Sequence, residues 1–291
     1  MEEMAIGVMT WVFSDPFKAV GLAHDVGVET MQLGCPPDEY LSGSKRQEFK
    51  RFMEKSGIRI TTVFCGYVGE SYEDKDVIME TVGFKNPQLR LSRMEKTFQI
   101  SDFAKDLGVN VIAAHIGFIP EDPKEPAFDQ MVEIIRKIAD YCKANGQCFA
   151  LETGQESART MLRFIRQVGR DNVRVNFDPA NMLYYGSGDP LEALEILRDF
   201  VIGVHCKDVR IPSEKLRPAE EVLFGDGDVG AESFIKKLKE IGYKGPLTIE
   251  REVVDIEDQK KDMREVKARI EKLRQKYATA VLSDREYAAE D

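Results

Sequence analysis

Short apolar runs and amphipathic stretches alternate eight times along the 291-residue chain, and nothing else in it restricts the fold as strongly. The strand-like runs are Met4–Thr10, Val28–Gly34, Ile58–Cys65, Val109–Ile116, Cys148–Glu152, Val173–Asp178, Val201–His205 and Pro246–Glu250. Between them lie helical patterns punctuated by the residues that start and stop helices. Asp15-Pro16 opens the first, and Gly27 closes it. Ser42–Ser56, Gln88–Leu107, Ala127–Ala144, Ala158–Val168, Pro190–Asp199 and Ala231–Ile241 follow. Met263, Val266, Ile270, Leu273 and Tyr277 recur at three- and four-residue spacing and mark a last packing helix. Strict alternation of this kind requires a parallel sheet, and eight units are the number that closes a (β/α)8 barrel of the TIM type. A doubly wound open sheet is the alternative, but no GxGxxG follows the first strand. The expected organisation is one domain over residues 1–281, with a polar tail at 282–291 that frays.

Composition narrows the function classes. Hydrophobic residues make up 43% and charged residues 32%, which is the balance of a folding, soluble chain. Lys and Arg total 41 against 51 Asp and Glu, a net charge of −10. That surface repels polyanions, so a general nucleic-acid or anionic-membrane binder is disfavoured. The five cysteines (Cys35, Cys65, Cys142, Cys148 and Cys206) are scattered and form no CxxC, which argues against a disulfide scaffold or zinc knuckle. The first residues, MEEMAIGVMTWVF, read as neither signal peptide nor membrane span, and a cytoplasmic protein is expected.

Two connections are longer than a turn needs: Gly66–Pro87 after the third strand and Lys207–Gly230 after the seventh. Both leave the C-terminal ends of strands, where barrel active sites are built. At that same end, four successive strands finish on polar groups. CFALE ends at Glu152, VRVNFD at Asp178, VIGVH at His205 and PLTIE at Glu250. Three converging carboxylates repel one another unless a cation neutralises them. Three hard oxygens and one imidazole suit Mn2+ or Mg2+, with Co2+ or Zn2+ also compatible. Of the other histidines, His24 lies in the first helix pattern, and His115 ends the fourth strand, where it reaches substrate or serves the barrel top structurally. Lys207 shares the His205 face and is placed to meet a substrate oxygen. Trp11, Phe13 and Tyr67 are candidate pocket walls or plain packing, and Lys215 and Arg217 add basic charge to the second long loop.

The runs ALETG, NFDPAN, GVHCKDVR and LTIERE resemble the xylose isomerase-like TIM-barrel superfamily. Within it, the similarity is to the sugar phosphate isomerase/epimerase group, which includes tagatose and psicose 3-epimerases, hydroxypyruvate isomerases and inosose dehydratases. The resemblance spans about residues 4 to 277 and implies one divalent metal held by Glu152, Asp178, His205 and Glu250. It also implies that Glu152 and Glu250 are the acid/base pair and that Arg210 binds substrate. The epimerases carry a histidine three residues after the aspartate ligand, where this chain has Asn181, an amide that still binds a hydroxyl.

The expected chemistry is proton transfer beside a carbonyl through a metal-stabilised enediolate of a sugar or small hydroxy-keto compound. Return of the proton to the same carbon from the opposite face gives epimerisation, and return to the neighbouring carbon gives isomerisation. Loss of a β-hydroxyl gives dehydration. An endonuclease IV-like DNA-repair enzyme is the rival from another class, opposed by the scarcity of histidine and the negative charge. A non-catalytic sugar-binding barrel is the third reading. The sequence leaves self-association into a homo-oligomer open.

Overall fold

The computed structural model describes residues 4–11, 15–212 and 219–287. Its strands are β1 (Ile6–Thr10), β2 (Thr30–Leu33), β3 (Arg59–Phe64), β4 (Val111–Ala114), β5 (Cys148–Glu152), β6 (Val173–Phe177), β7 (Val201–Cys206), β8 (Asp208–Arg210), β9 (Glu220–Val222) and β10 (Leu247–Ile249). Eight of them close a parallel barrel in the order β1-β10-β7-β6-β5-β4-β3-β2, with Ile6 opposite Leu247 at the closing seam. The expected (β/α)8 TIM barrel is the fold. Among the described residues, no helix is long and apolar enough to cross a membrane.

Strand alternation sorts the side chains into two layers. On β6, Val173, Val175 and Phe177 face the surrounding helices, and the Phe177 ring stacks on Phe234 with centroids 6.2 Å apart. The intervening Asn176 points into the barrel. Its interior holds a small apolar layer of Met9, Phe64, Ala113 and Ala150. Polar residues (Thr30, Gln32, Thr62, Asn176 and Thr248) occupy other inward positions and are buried.

The first helix, Pro16–Val26, starts as its sequence dictates. Asp15 Oδ1 accepts from the Phe17 amide at 2.9 Å, proline occupies the first turn, and Gly27 ends the helix at φ 75°. Both long connections contain structure of their own. The first holds helix Lys75–Thr81, capped by Asp74, and the second holds the antiparallel β8/β9 hairpin. A further helix, Pro179–Tyr185, leaves the end of β6 directly. Its Asp178-Pro179 start repeats the Asp15-Pro16 signal, so the cue was present in the sequence. The last helix runs Ile256–Tyr287.

Candidate active site

The four strand-end residues meet. Glu152 is the last residue of β5, His205 stands near the end of β7, and Asp178 and Glu250 directly follow β6 and β10. One ligand-capable atom from each lies within 4.8 Å of the others, and all four residues are buried. The geometry centres on the imidazole. His205 Nδ1 is 2.9 Å from Glu152 Oε1, 2.9 Å from Glu250 Oε2 and 3.3 Å from Asp178 Oδ2.

Each carboxylate is also gripped from outside the cluster. Asp178 is the N-cap of helix Pro179–Tyr185: its Oδ1 accepts from the Asn181 amide at 2.8 Å, which leaves Oδ2 turned to the histidine. Glu152 Oε2 lies 2.8 Å from His115 Nε2. Glu250 Oε1 accepts from the Trp11 indole at 3.0 Å, and its Oε2 lies 3.4 Å from Lys207 Nζ. Phe64 stacks on the His205 ring, with centroids 5.6 Å apart.

So much charge in a dry place moves the protonation equilibria. Burial alone would lower the His205 pKa, but the Glu250 and Glu152 carboxylates raise it well above the ordinary value. Burial opposes ionisation of Glu250, yet Lys207 and His205 hold it well below the usual carboxylate range. Asp178 goes the other way, its pKa raised chiefly by burial. Positive groups beside Glu152 and Glu250 thus offset part of the repulsion among the three carboxyl groups. Three hard oxygens and one imidazole nitrogen converging at this spacing fit a divalent metal ion, which would supply the same compensation more directly.

Of the cluster, Glu250 lines a cavity of about 1060 Å3, whose wall also includes Trp11, Tyr72, His115, Asn181 and Lys207. His115, Asn181 and Lys207, the candidate substrate-binding residues, thus line one cavity. Lys207 also pairs with Glu252 at 2.9 Å. Arg210 does not join them. It is exposed on the β8/β9 hairpin and donates to the Asp226 carbonyl at 2.7 Å, while its neighbour Val209 lines the cavity. Tyr67 packs on Phe84 and its hydroxyl lies 2.8 Å from Thr97 Oγ1, so the aromatic wall near β3 is Tyr72 instead. Phe13, Lys215 and Arg217 lie outside the described residues. Trp11 does more than wall the pocket, since its indole holds a carboxylate. Gln32 and Asn176, which sequence reading passed over, lie beneath the histidine. The signal for Asn176 was its place two residues before Asp178, on the same face of one strand.

A family model described as xylose isomerase-like TIM barrel matches residues 20–275 of the chain. A xylose isomerase domain protein from Planctomyces limnophilus is 39% identical, with a TM-score of 0.90 over 95% of this chain and 99% of its own. A D-tagatose 3-epimerase-like protein superposes with a TM-score of 0.74 at 18% identity, covering 96% of this chain and 100% of that one. An uncharacterised protein of Methanocaldococcus jannaschii is 25% identical over 210 residues, which are 66% of this chain and 67% of that protein.

Proposed function

The chain belongs to the xylose isomerase-like TIM barrel family, and from that premise we propose that it is a divalent-metal-dependent isomerase or epimerase of a sugar or small hydroxy-keto compound. The observation that carries this reading is the convergence of Glu152, Asp178, His205 and Glu250, the last of them in the wall of a large cavity. Those four residues would hold the cation. When bound, a divalent ion would polarise a carbonyl and neighbouring hydroxyl and make the C–H between them acidic. Barrels of this fold have been solved with magnesium and with a bound zinc atom, and Mn2+ suits the same donor set.

The chain's own residues supply the proton transfers. Around the barrel, β6 and β7 separate β5 from β10, so Glu152 and Glu250 flank the cluster with Asp178 and His205 between them. One carboxylate removes a substrate proton on its side and the other delivers one on the opposite side. A carboxylate has lone pairs to spare, so the contacts from His115 and Trp11 hold each group in place without occupying it fully. Asn181 and Lys207 bind substrate oxygens. Lys207 and Arg251 in the wall are each ion-paired with two carboxylates, which favours an unphosphorylated substrate.

Dehydration is the second reading. Lys207 Nζ lies 3.4 Å from Glu250 Oε2, where its ammonium would hydrogen-bond a departing hydroxyl and stabilise the charge that develops on it. A probable 3-DHS dehydratase from Bacillus anthracis shares the fold. A panel of ketoses and keto acids in deuterated solvent with Mn2+ tests the proposal. We expect metal-dependent uptake of deuterium at a carbon beside the carbonyl, and the product then separates isomerase from dehydratase. Uptake that persists in verified metal-free protein would rule this mechanism out.

A further inference from the structure

Beneath the candidate metal centre, two amide side chains meet the far nitrogen of His205. Gln32 Oε1 lies 2.7 Å from His205 Nε2, and Gln32 Nε2 donates to Asn176 Oδ1 at 3.0 Å. Asn176 Nδ2 completes the group, 3.2 Å from His205 Nε2. All three residues are buried, and they come from β2, β6 and β7.

The backbone is adapted to this contact. Of the eight barrel pairings, two shift register, one between Met31 and Gln32 and the other between Val175 and Asn176. Bulges are rare in parallel sheets and re-aim the side chain where they fall. Gly203 makes the room: a Cβ there would come 2.3 Å from Asn176 Oδ1 and 3.3 Å from Gln32 Nε2.

An amide oxygen has no hydrogen and only accepts. Opposite Gln32 Oε1, at 2.7 Å the nearer of its two amide neighbours against 3.2 Å for the Asn176 amide nitrogen, His205 Nε2 carries a proton; a cation at the centre would then displace the proton on Nδ1 and meet that nitrogen's lone pair. We infer that Gln32, oriented by Asn176 in the space left by Gly203, is a positioning residue that fixes the tautomer and ring orientation with which His205 serves the centre. The inference rests on the metal reading of that centre and adds to it the groups that prepare its imidazole. Partners of this kind are typically worth about 10–100-fold in metal affinity.

The test uses Zn2+ as the probe, with binding measured by competition against a chelating dye and the imidazoles read by 15N–1H correlation. The chain has three histidines, so the spectrum is tractable. In the zinc-loaded protein, His205 should show an Nε2–H and a zinc-shifted Nδ1. Gln32→Met, close in size but with no acceptor, should lose about 10–100-fold in Zn2+ affinity, while Gln32→Glu, which restores the acceptor, should recover it. Failure of the unsubstituted protein to bind Zn2+ would overturn the metal reading itself. Binding with His205 protonated on Nδ1, or a folded Gln32→Met protein with affinity within twofold, would overturn the role of Gln32 alone. If Gln32→Met does not fold, the tautomer of the unsubstituted protein decides.

Discussion

Glu152 and Glu250 occupy equivalent positions on their strands but are gripped differently, one by an imidazole and one by an indole. Glu250→Gln keeps the size of the side chain and one carbonyl oxygen, so three ligands and part of a fourth remain. An amide cannot accept the proton, and turnover measured at saturating metal should fall about 10²–10⁴-fold. A metal-loaded variant with near-normal turnover would reduce Glu250 to a ligand. Glu156 offers a different experiment. Its carboxyl oxygens are buried without hydrogen-bond partners, and burial pushes its pKa up to about 8, with His115 acting in the opposite sense. Between the unfolded value and pH 8 the unfolded chain ionises first, so this group's contribution to stability is present at low pH and lost as pH rises. Relative to the unsubstituted protein, Glu156→Gln should therefore gain thermal stability progressively from about pH 5 to pH 8 and level off above. A difference in melting temperature that stays flat across that range would contradict the assignment. The four candidate ligands were legible because each stops an apolar run. Gln32 and Glu156 were not, and Trp11 was legible only as a candidate wall, because their importance lies in contacts across the barrel that no local pattern encodes.

At the scale of elements, the second long connection is organised by one side chain. Asp208 is buried and accepts from the amides of Val209, Gly225, Gly227 and Val229 at 2.9–3.1 Å. A Cβ at Gly227 would lie 2.2 Å from Asp208 Oδ1, so glycine is required where the loop folds over the carboxylate. Asp208→Ala would strand several of these donors at about 1–3 kcal/mol for each one left buried and unpaired. Hydrogen exchange at residues 225–229 should accelerate markedly while the barrel strands keep their protection. Unchanged exchange in that segment would show that the loop holds itself. The anchor of this segment lies some 20 residues earlier in the chain, too far for a local pattern to show it. Strand and helix positions were readable wherever periodicity was long and caps were present. The short elements escaped: the β8/β9 hairpin has three residues per strand, too few for a period to register.

For the whole molecule, the closing seam between β1 and β10 converts a list of strand ends into a ring of functional groups. Alternation made the barrel legible, and the barrel in turn made the convergence legible, since successive parallel strands finish on one rim. Substrate class was less legible. The cavity wall also depends on Tyr72, Asn181 and Val254, which come from separate connections whose relative placement only the closed fold determines. The central claim, that these strand ends hold one cation, is tested most directly by anomalous diffraction from crystals of the protein grown with Mn2+. We expect a single strong anomalous peak bonded by Glu152, Asp178, His205 through Nδ1, and Glu250. Crystals grown at saturating Mn2+ that show no peak among these four residues would contradict it.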